Sequence, residues 1–150
     1  MKRLIMCGLA LWLACLCARG QEAVDRGDIL RDLEWKSIYD AYIPDAGLIA
    51  TLKNKAPEMR IDVYLGSWCS DSRDHVPVFL KILDVLDAPG LTVCLYEVGR
   101  KAAPEQKYYV EEKSVERVPT FIFYKDGAEK GRIIETPKLS ILEDMLAILL

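Results

Sequence analysis

Arg60-Ile61-Asp62-Val63-Tyr64-Leu65-Gly66 runs directly into Ser67-Trp68-Cys69-Ser70-Asp71-Ser72, and the joint between these stretches decides the fold. The first stretch is rich in β-branched and aromatic residues and predicts a strand. After the joint, Ser72 to Asp87 carries Val76, Phe79, Leu83 and Leu86 on one face of a predicted helix. Cys69 therefore sits where a strand turns into a helix. Unpaired backbone N–H groups and the helix dipole favour an anion at such a place. A thiolate is the nucleophilic form of cysteine, and a helix N-terminus lowers the thiol's pKa from about 8.5 into the range of roughly 3.5–7.5. Trp68 supplies an apolar wall. Ser72 follows at the spacing of one helical turn, on the same side, where its hydroxyl is expected to donate to the thiolate. Arg73 adds a positive charge expected to tune the thiol toward its ionised form.

Further elements extend in both directions from this joint. Upstream, Trp35 to Tyr42 holds Trp35, Ile38, Tyr39 and Tyr42 at helical spacing before Pro44, and Gly47 to Lys55 predicts a short helix ending before Pro57. Downstream, Pro89-Gly90 breaks the chain and Leu91 to Val98 predicts a second buried strand. Pro104 to Glu112 predicts a helix with proline in its first turn. Thr120 to Tyr124 is a third strand, Lys125-Asp126-Gly127 a hairpin turn, and Glu129 to Ile134 the returning strand. Lys138 to Leu150 predicts a closing helix. Strand, helix, strand, helix, hairpin, helix is an α/β order with a parallel and an antiparallel half. It predicts a three-layer α/β/α domain around a small mixed central sheet.

Within that order, Trp68-Cys69-Ser70-Asp71-Ser72 resembles the thioredoxin active site Trp-Cys-x-x-Cys with its second cysteine replaced by Ser72. Pro77, eight residues after Cys69, is similar to the family's helix-kinking proline. Val118-Pro119-Thr120 ahead of an apolar strand and Lys125-Asp126-Gly127 resembles the family's cis-proline loop and hairpin. The resemblance implies a thioredoxin-like fold from about residue 45 to the C-terminus. It also implies that Trp68, Val118 and Pro119 bind an extended substrate peptide beside Cys69, that Cys69 and Ser72 form the catalytic pair, and that no bound cofactor or metal is needed. Gly66 to Asp84 is most similar to exported bacterial members.

Two departures shape the expected activity. Without a resolving cysteine at position 72, attack on a disulfide stops at the mixed disulfide until another thiol releases it. The family's buried acid, six residues before the cysteine, corresponds to Val63, while Asp62 should face the opposite side of the strand. The implied function is monothiol thiol–disulfide exchange, oxidoreductase- or isomerase-like, on protein or low-molecular-weight disulfides. The alternative is a non-catalytic binding module that holds a partner peptide in the same groove.

The N-terminus predicts where this happens. Lys2 and Arg3 precede an apolar run from Leu4 to Ala18, the pattern of a secretory signal peptide, and about fifteen residues is short for a membrane span. Residues 1–20 thus read as a signal peptide, 21–44 as an N-terminal extension or helix, and 45–150 as the thioredoxin-like domain. The expected compartment is exported, a bacterial periplasm, with membrane attachment only if Cys15 or Cys17 is lipidated. Removing residues 1–20 takes Lys2, Arg3, Arg19 and three of the five cysteines, leaving 17 bases against 23 acids with Cys69 and Cys94. Two cysteines do not make a disulfide-stapled scaffold. Cys94, inside an apolar strand, reads as a small hydrophobe. An acidic chain without a basic stripe is a poor holder of nucleic acid. The lone His75 lies about 120° around the helix from Cys69 and is expected at the surface, and the sequence contains neither a phosphate loop nor a metal-ligand cluster.

Overall fold

The computed structural model describes residues 23–54, 58–101 and 110–149. Its elements are α1 (Arg26–Ile29), α2 (Leu33–Ala41), α3 (Ala46–Lys53), β1 (Met59–Leu65), α4 (Ser70–Leu86), β2 (Thr92–Glu97), β3 (Thr120–Lys125), β4 (Ala128–Ile134) and α5 (Ile141–Leu149). The four strands form one sheet in the order β2-β1-β3-β4. β1 and β2 run parallel, with Val63 opposite Leu95, whereas β1 with β3 and β3 with β4 run antiparallel. The parallel pair needs a crossover, and α4 supplies it. The antiparallel pair β3–β4 needs only Asp126-Gly127, both at positive φ (55° and 75°), the left-handed pair that a tight hairpin demands.

Alternation along the strands separates two apolar clusters. Ile61, Val63, Leu65, Phe121 and Phe123 pack against α1 to α5, with Phe79 and Phe121 rings 5.0 Å apart and tilted by 55°. Such a pair contributes about 0.5–1.5 kcal/mol beyond its buried area. Ile29 of α1 and Trp35 of α2 belong to this cluster, so the described part of the N-terminal extension, residues 23–44, contributes to the main core. The segment also caps the sheet edge, where the Val24 N–H donates to the Leu95 carbonyl at 2.8 Å. The opposite face holds Tyr64, Cys94, Tyr96 and Ile122 under Val115 and Val118. The helix predicted from Pro104 to Glu112 falls mostly outside the described residues; its last turn, 110–112, is helical.

Aspartates set the helix starts. Asp32 accepts from the Glu34 and Trp35 N–H groups, and Asp45 from that of Leu48. The closing helix begins at Ile141 rather than Lys138, because the Ser140 hydroxyl accepts from the Glu143 N–H and donates to the Glu143 carboxylate. Inside α4, Pro77 has no N–H to give to the preceding turn. Among the described residues no helix is long and apolar enough to cross a membrane.

Asp62 is buried on the second face and paired with Arg60 at 2.8 Å, while Val63 packs on the first. The opposite-face expectation for Asp62 follows from this alternation. Beside it the Tyr64 hydroxyl is buried without a hydrogen-bond partner among the described residues. Burial, reinforced by the charge of Asp62, raises the Tyr64 phenol far above its ordinary 10.0 and pushes Tyr124 to about 12. Both phenols stay neutral in the fold when the unfolded chain ionises. Their contribution to stability is complete below pH 10 and is lost as pH rises through the folded-state values. Tyr64→Phe should leave Tm at pH 7 equal or higher, since it removes an unsatisfied hydroxyl, and should flatten the alkaline fall of Tm above pH 10. Calorimetric melts across that range check both; a Tm lowered by several degrees at neutral pH would contradict the unpaired hydroxyl.

Candidate active site

The end of β1 and the start of α4 meet in a turn closed by backbone hydrogen bonds. The Cys69 N–H donates to the Gly66 carbonyl at 2.9 Å, and the Cys69 carbonyl accepts from the Arg73 N–H at 3.1 Å, which begins the helix. Cys69 is thereby the N-cap of the 17-residue α4, with extended backbone (φ −100°, ψ 126°) and no side-chain cap bond. The first-turn N–H groups at this end are left without a capping oxygen, the arrangement in which a helix end attracts an anion. Cys69 is half-buried, and its thiol donates to the Val118 carbonyl at 3.1 Å. The Val118–Pro119 peptide bond is cis.

The 117–120 loop that presents Val118 is held from three sides. The Thr120 hydroxyl donates to the Arg117 carbonyl at 2.6 Å, the Glu135 N–H donates to the Pro119 carbonyl at 2.7 Å, and the Arg117 guanidinium pairs with Glu135 at 2.6 Å. The loop leads into β3, and Thr120 pairs with Tyr64 near the end of β1. One rung of the ladder therefore ties the loop to the strand that carries the thiol.

The remaining predicted residues divide. Trp68 is 40% exposed beside Cys69, anchored by its indole N–H donating to the Val98 carbonyl at 2.9 Å, with the Arg100 guanidinium 5.1 Å from its ring. Ser72 is wholly buried, and its Oγ accepts from the Gly66 N–H at 3.1 Å. The thiol is bonded to Val118 instead, so the expected Ser72–Cys69 hydrogen bond is replaced by one that braces the turn. Arg73 pairs with Glu34 of α2 at 3.1 Å and does not bond to Cys69. Cys94 is buried in the apolar cluster with Tyr64 and Tyr96, and Cys69 is the free thiol among the described residues. His75 is half-buried on α4.

Gly66 is the site residue that the motif alone does not reveal, although a glycine ending a strand is its visible signal. It supplies both an acceptor to Cys69 and a donor to Ser72, and a Cβ there would lie 2.8 Å from the Trp68 ring. Gly66→Ala should push Trp68 out of its place and break the bond to Val98, at a cost of about 1–3 kcal/mol. The expected readouts are a lower Tm and an altered indole emission; an unchanged melt with unchanged emission would show that the ring has room to move.

A family model described as thioredoxin matches residues 19–146. A thioredoxin H-type from Oryza sativa subsp. indica is 32% identical over 88 residues, 59% of this chain and 66% of that protein, so the chain spans just under two thirds of this relative. A Pseudomonas aeruginosa protein of unknown function superposes with a TM-score of 0.60 at 13% identity, covering 84% of this chain and 91% of that one. An HIV epitope scaffold superposes at 0.57 with 15% identity, covering 81% and 82%. At these identities the two solved structures speak to the fold alone.

Proposed function

Because the chain belongs to the thioredoxin family, whose chemistry is thiol–disulfide exchange, we propose that it performs that exchange through Cys69 alone. The observation that carries the reading is the Cys69 thiol at the start of α4, 3.1 Å from the Val118 carbonyl. Nucleophile and peptide-holding backbone thus occupy one place.

In the proposed step the Cys69 thiolate attacks one sulfur of a disulfide. A bond forms between Cys69 Sγ and that sulfur, the substrate S–S bond breaks, and the other sulfur leaves as a thiolate. A second thiol, protein or low-molecular-weight, then takes the bound sulfur and returns Cys69 to its reduced form. Pro119 and Val118 orient the substrate strand, Trp68 supplies its apolar wall, and Ser72 holds the turn rigid through Gly66. Ser72 keeps its own hydroxyl proton to offer, and toward a thiolate that proton is the proposed catalytic contribution. The basic start and apolar run of residues 2–18 support export, and the proposed setting is an oxidising compartment where target disulfides persist.

Incubating the reduced full chain with a disulfide-bonded peptide and mapping the adduct by mass spectrometry tests the reading. A mixed disulfide on Cys69 that glutathione removes is the expected result; absence of any Cys69 adduct overturns it. The bond from Gly66 N–H to Ser72 Oγ favours the second reading, a binding module, since it uses the site serine as architecture. A partner peptide that Cys69→Ala retains with undiminished affinity, with no exchange by the parent chain, would establish that reading instead.

A further inference from the structure

The parallel pairing of β1 with β2 carries a second segment to the thiol turn. Leu65 lies opposite Glu97 at the end of that ladder, and the Val98 N–H extends it by donating to the Leu65 carbonyl at 2.7 Å. Residues 98–100 therefore run beside the turn that holds Trp68 and Cys69. The Val98 carbonyl accepts from the Trp68 indole N–H at 2.9 Å, and two residues on the Arg100 guanidinium lies over the same ring, 5.1 Å from its centre. Trp68 is 40% exposed and Arg100 is exposed, so the pair stands at the surface next to the nucleophile. The other arginines among the described residues, Arg26, Arg31, Arg60, Arg73, Arg117 and Arg132, are each in an ion pair with an aspartate or glutamate. Arg100 differs from them: among the described residues its partner is the Trp68 ring, not a carboxylate. Lys101 follows it, exposed and likewise without an ion pair among the described residues. In a chain with 23 acids against 20 bases, two adjacent unclaimed cations beside the reactive thiol are a local exception.

From this placement we propose that Arg100, assisted by Lys101, determines specificity for an acidic side chain, aspartate or glutamate, flanking the target cysteine of the substrate peptide. Contact with the ring holds the guanidinium by its charge. It leaves the N–H fork for a carboxylate, the planar partner that the fork fits bidentately. The ring that walls the nucleophile thereby orients the cation that reads the residue next to the attacked sulfur. A second feature points to the same ligand charge. The first-turn N–H groups of α4 have no capping side chain at Cys69, so the helix adds its positive pole to this side of the turn. The inference rests on the exchange reading above and supplies its substrate class.

The test uses the reduced full chain and three peptides whose residues on both sides of the cysteine are Glu, Gln or Lys. Each is activated as a mixed disulfide with 2-thiopyridine, a neutral leaving group. The Cys69 thiolate attacks the peptide sulfur, a bond forms between these two sulfurs, the bond to the pyridyl sulfur breaks, and 2-thiopyridone leaves after taking a proton from water. Its absorbance gives the rate, and the rate of Cys69→Ser is subtracted as background. At low salt the Glu peptide should react about threefold faster than the Gln peptide and about tenfold faster than the Lys peptide, and the spread should shrink as salt is raised. The net charge of −3 alone favours the reverse order, so a Glu preference marks a local cation. Arg100→Gln should remove the preference, whereas Lys125→Gln, with the same charge loss at the far end of β3, should keep it. Comparing peptides on one variant at one pH cancels any change in the thiolate fraction of Cys69. Equal rates or a Lys preference on the parent chain, a Glu preference that survives Arg100→Gln, or one that Lys125→Gln abolishes equally, would overturn the assignment. Binding of fluorescein-labelled Glu and Lys peptides, with serine in place of their cysteine, to Cys69→Ser separates the two inferences. A Glu preference there with no exchange by the parent chain sinks the exchange reading and keeps the carboxylate site. Exchange without preference does the reverse.

Discussion

Cys69→Ser is expected to reduce mixed-disulfide formation by roughly three orders of magnitude or more, to the background rate, because an alcohol cannot form the sulfur–sulfur bond. The substitution is clean. Cys69 occupies the N-cap of α4, where serine is a preferred residue, and the cap is empty of side-chain bonds in the parent chain. Serine there should leave the fold as stable as before, or more stable by about 0.5–1 kcal/mol. Equal or higher Tm together with lost exchange, measured by peptide adduct formation, isolates the chemistry from the fold. Exchange persisting near the parent rate would place the nucleophile on another cysteine.

Ser72→Cys is expected to have the opposite sense, raising dithiothreitol-driven insulin reduction about tenfold or more over the parent chain. Position 72 follows Cys69 by three residues in the first turn of the same helix, so a thiol there meets the sulfur of Cys69. After Cys69 has captured one substrate sulfur, the introduced thiolate would attack Cys69 Sγ, form the internal disulfide and release that substrate sulfur as a thiolate. The substrate disulfide is then fully reduced and the site oxidised, and dithiothreitol returns it. The cost is structural. Ser72 is wholly buried and accepts from the Gly66 N–H; sulfur is larger and a weaker acceptor, so stability should fall by about 1–2 kcal/mol. Insulin turbidity at matched protein concentration gives the answer. A parent-like rate from a variant whose Cys69 still forms adducts would mean that the serine was not what limited turnover.

The sequence carried the frame and lost the partners. β1, α4 and the Asp126-Gly127 hairpin were legible because each rests on local signals: alternation, a 3.6-residue period, and a pair of residues that tolerate positive φ. The position of Cys69 at a strand-to-helix turn came from the same patterns. The partners of its neighbours were not local. Arg73 finds Glu34 across 39 residues, and the Cys69 thiol finds Val118 across 49. The choice of Ser72 between thiol and Gly66 N–H depends on how tightly the turn closes, which side-chain spacing does not specify. The four-residue α1 lies in the stretch read only as an extension or helix, because it is too short to show a period, although Asp25 and Asp32 are visible capping signals. A similar signal, Ser140 three residues before Glu143, marked the true start of α5.

The tie between β1 and the 117–120 loop bears on how such a chain can change over generations. Thiol turn and 117–120 loop each hang from one end of the same antiparallel ladder, with Tyr64 opposite Thr120. Their separation is inherited from main-chain pairing, which any side chains compatible with a strand will reproduce. The outer helices must still bury their apolar faces, but they are free to drift in composition without altering the reach between the two halves of the site. A lineage built on this ladder can therefore diversify its surface while the spacing between the Cys69 turn and the 117–120 loop stands still.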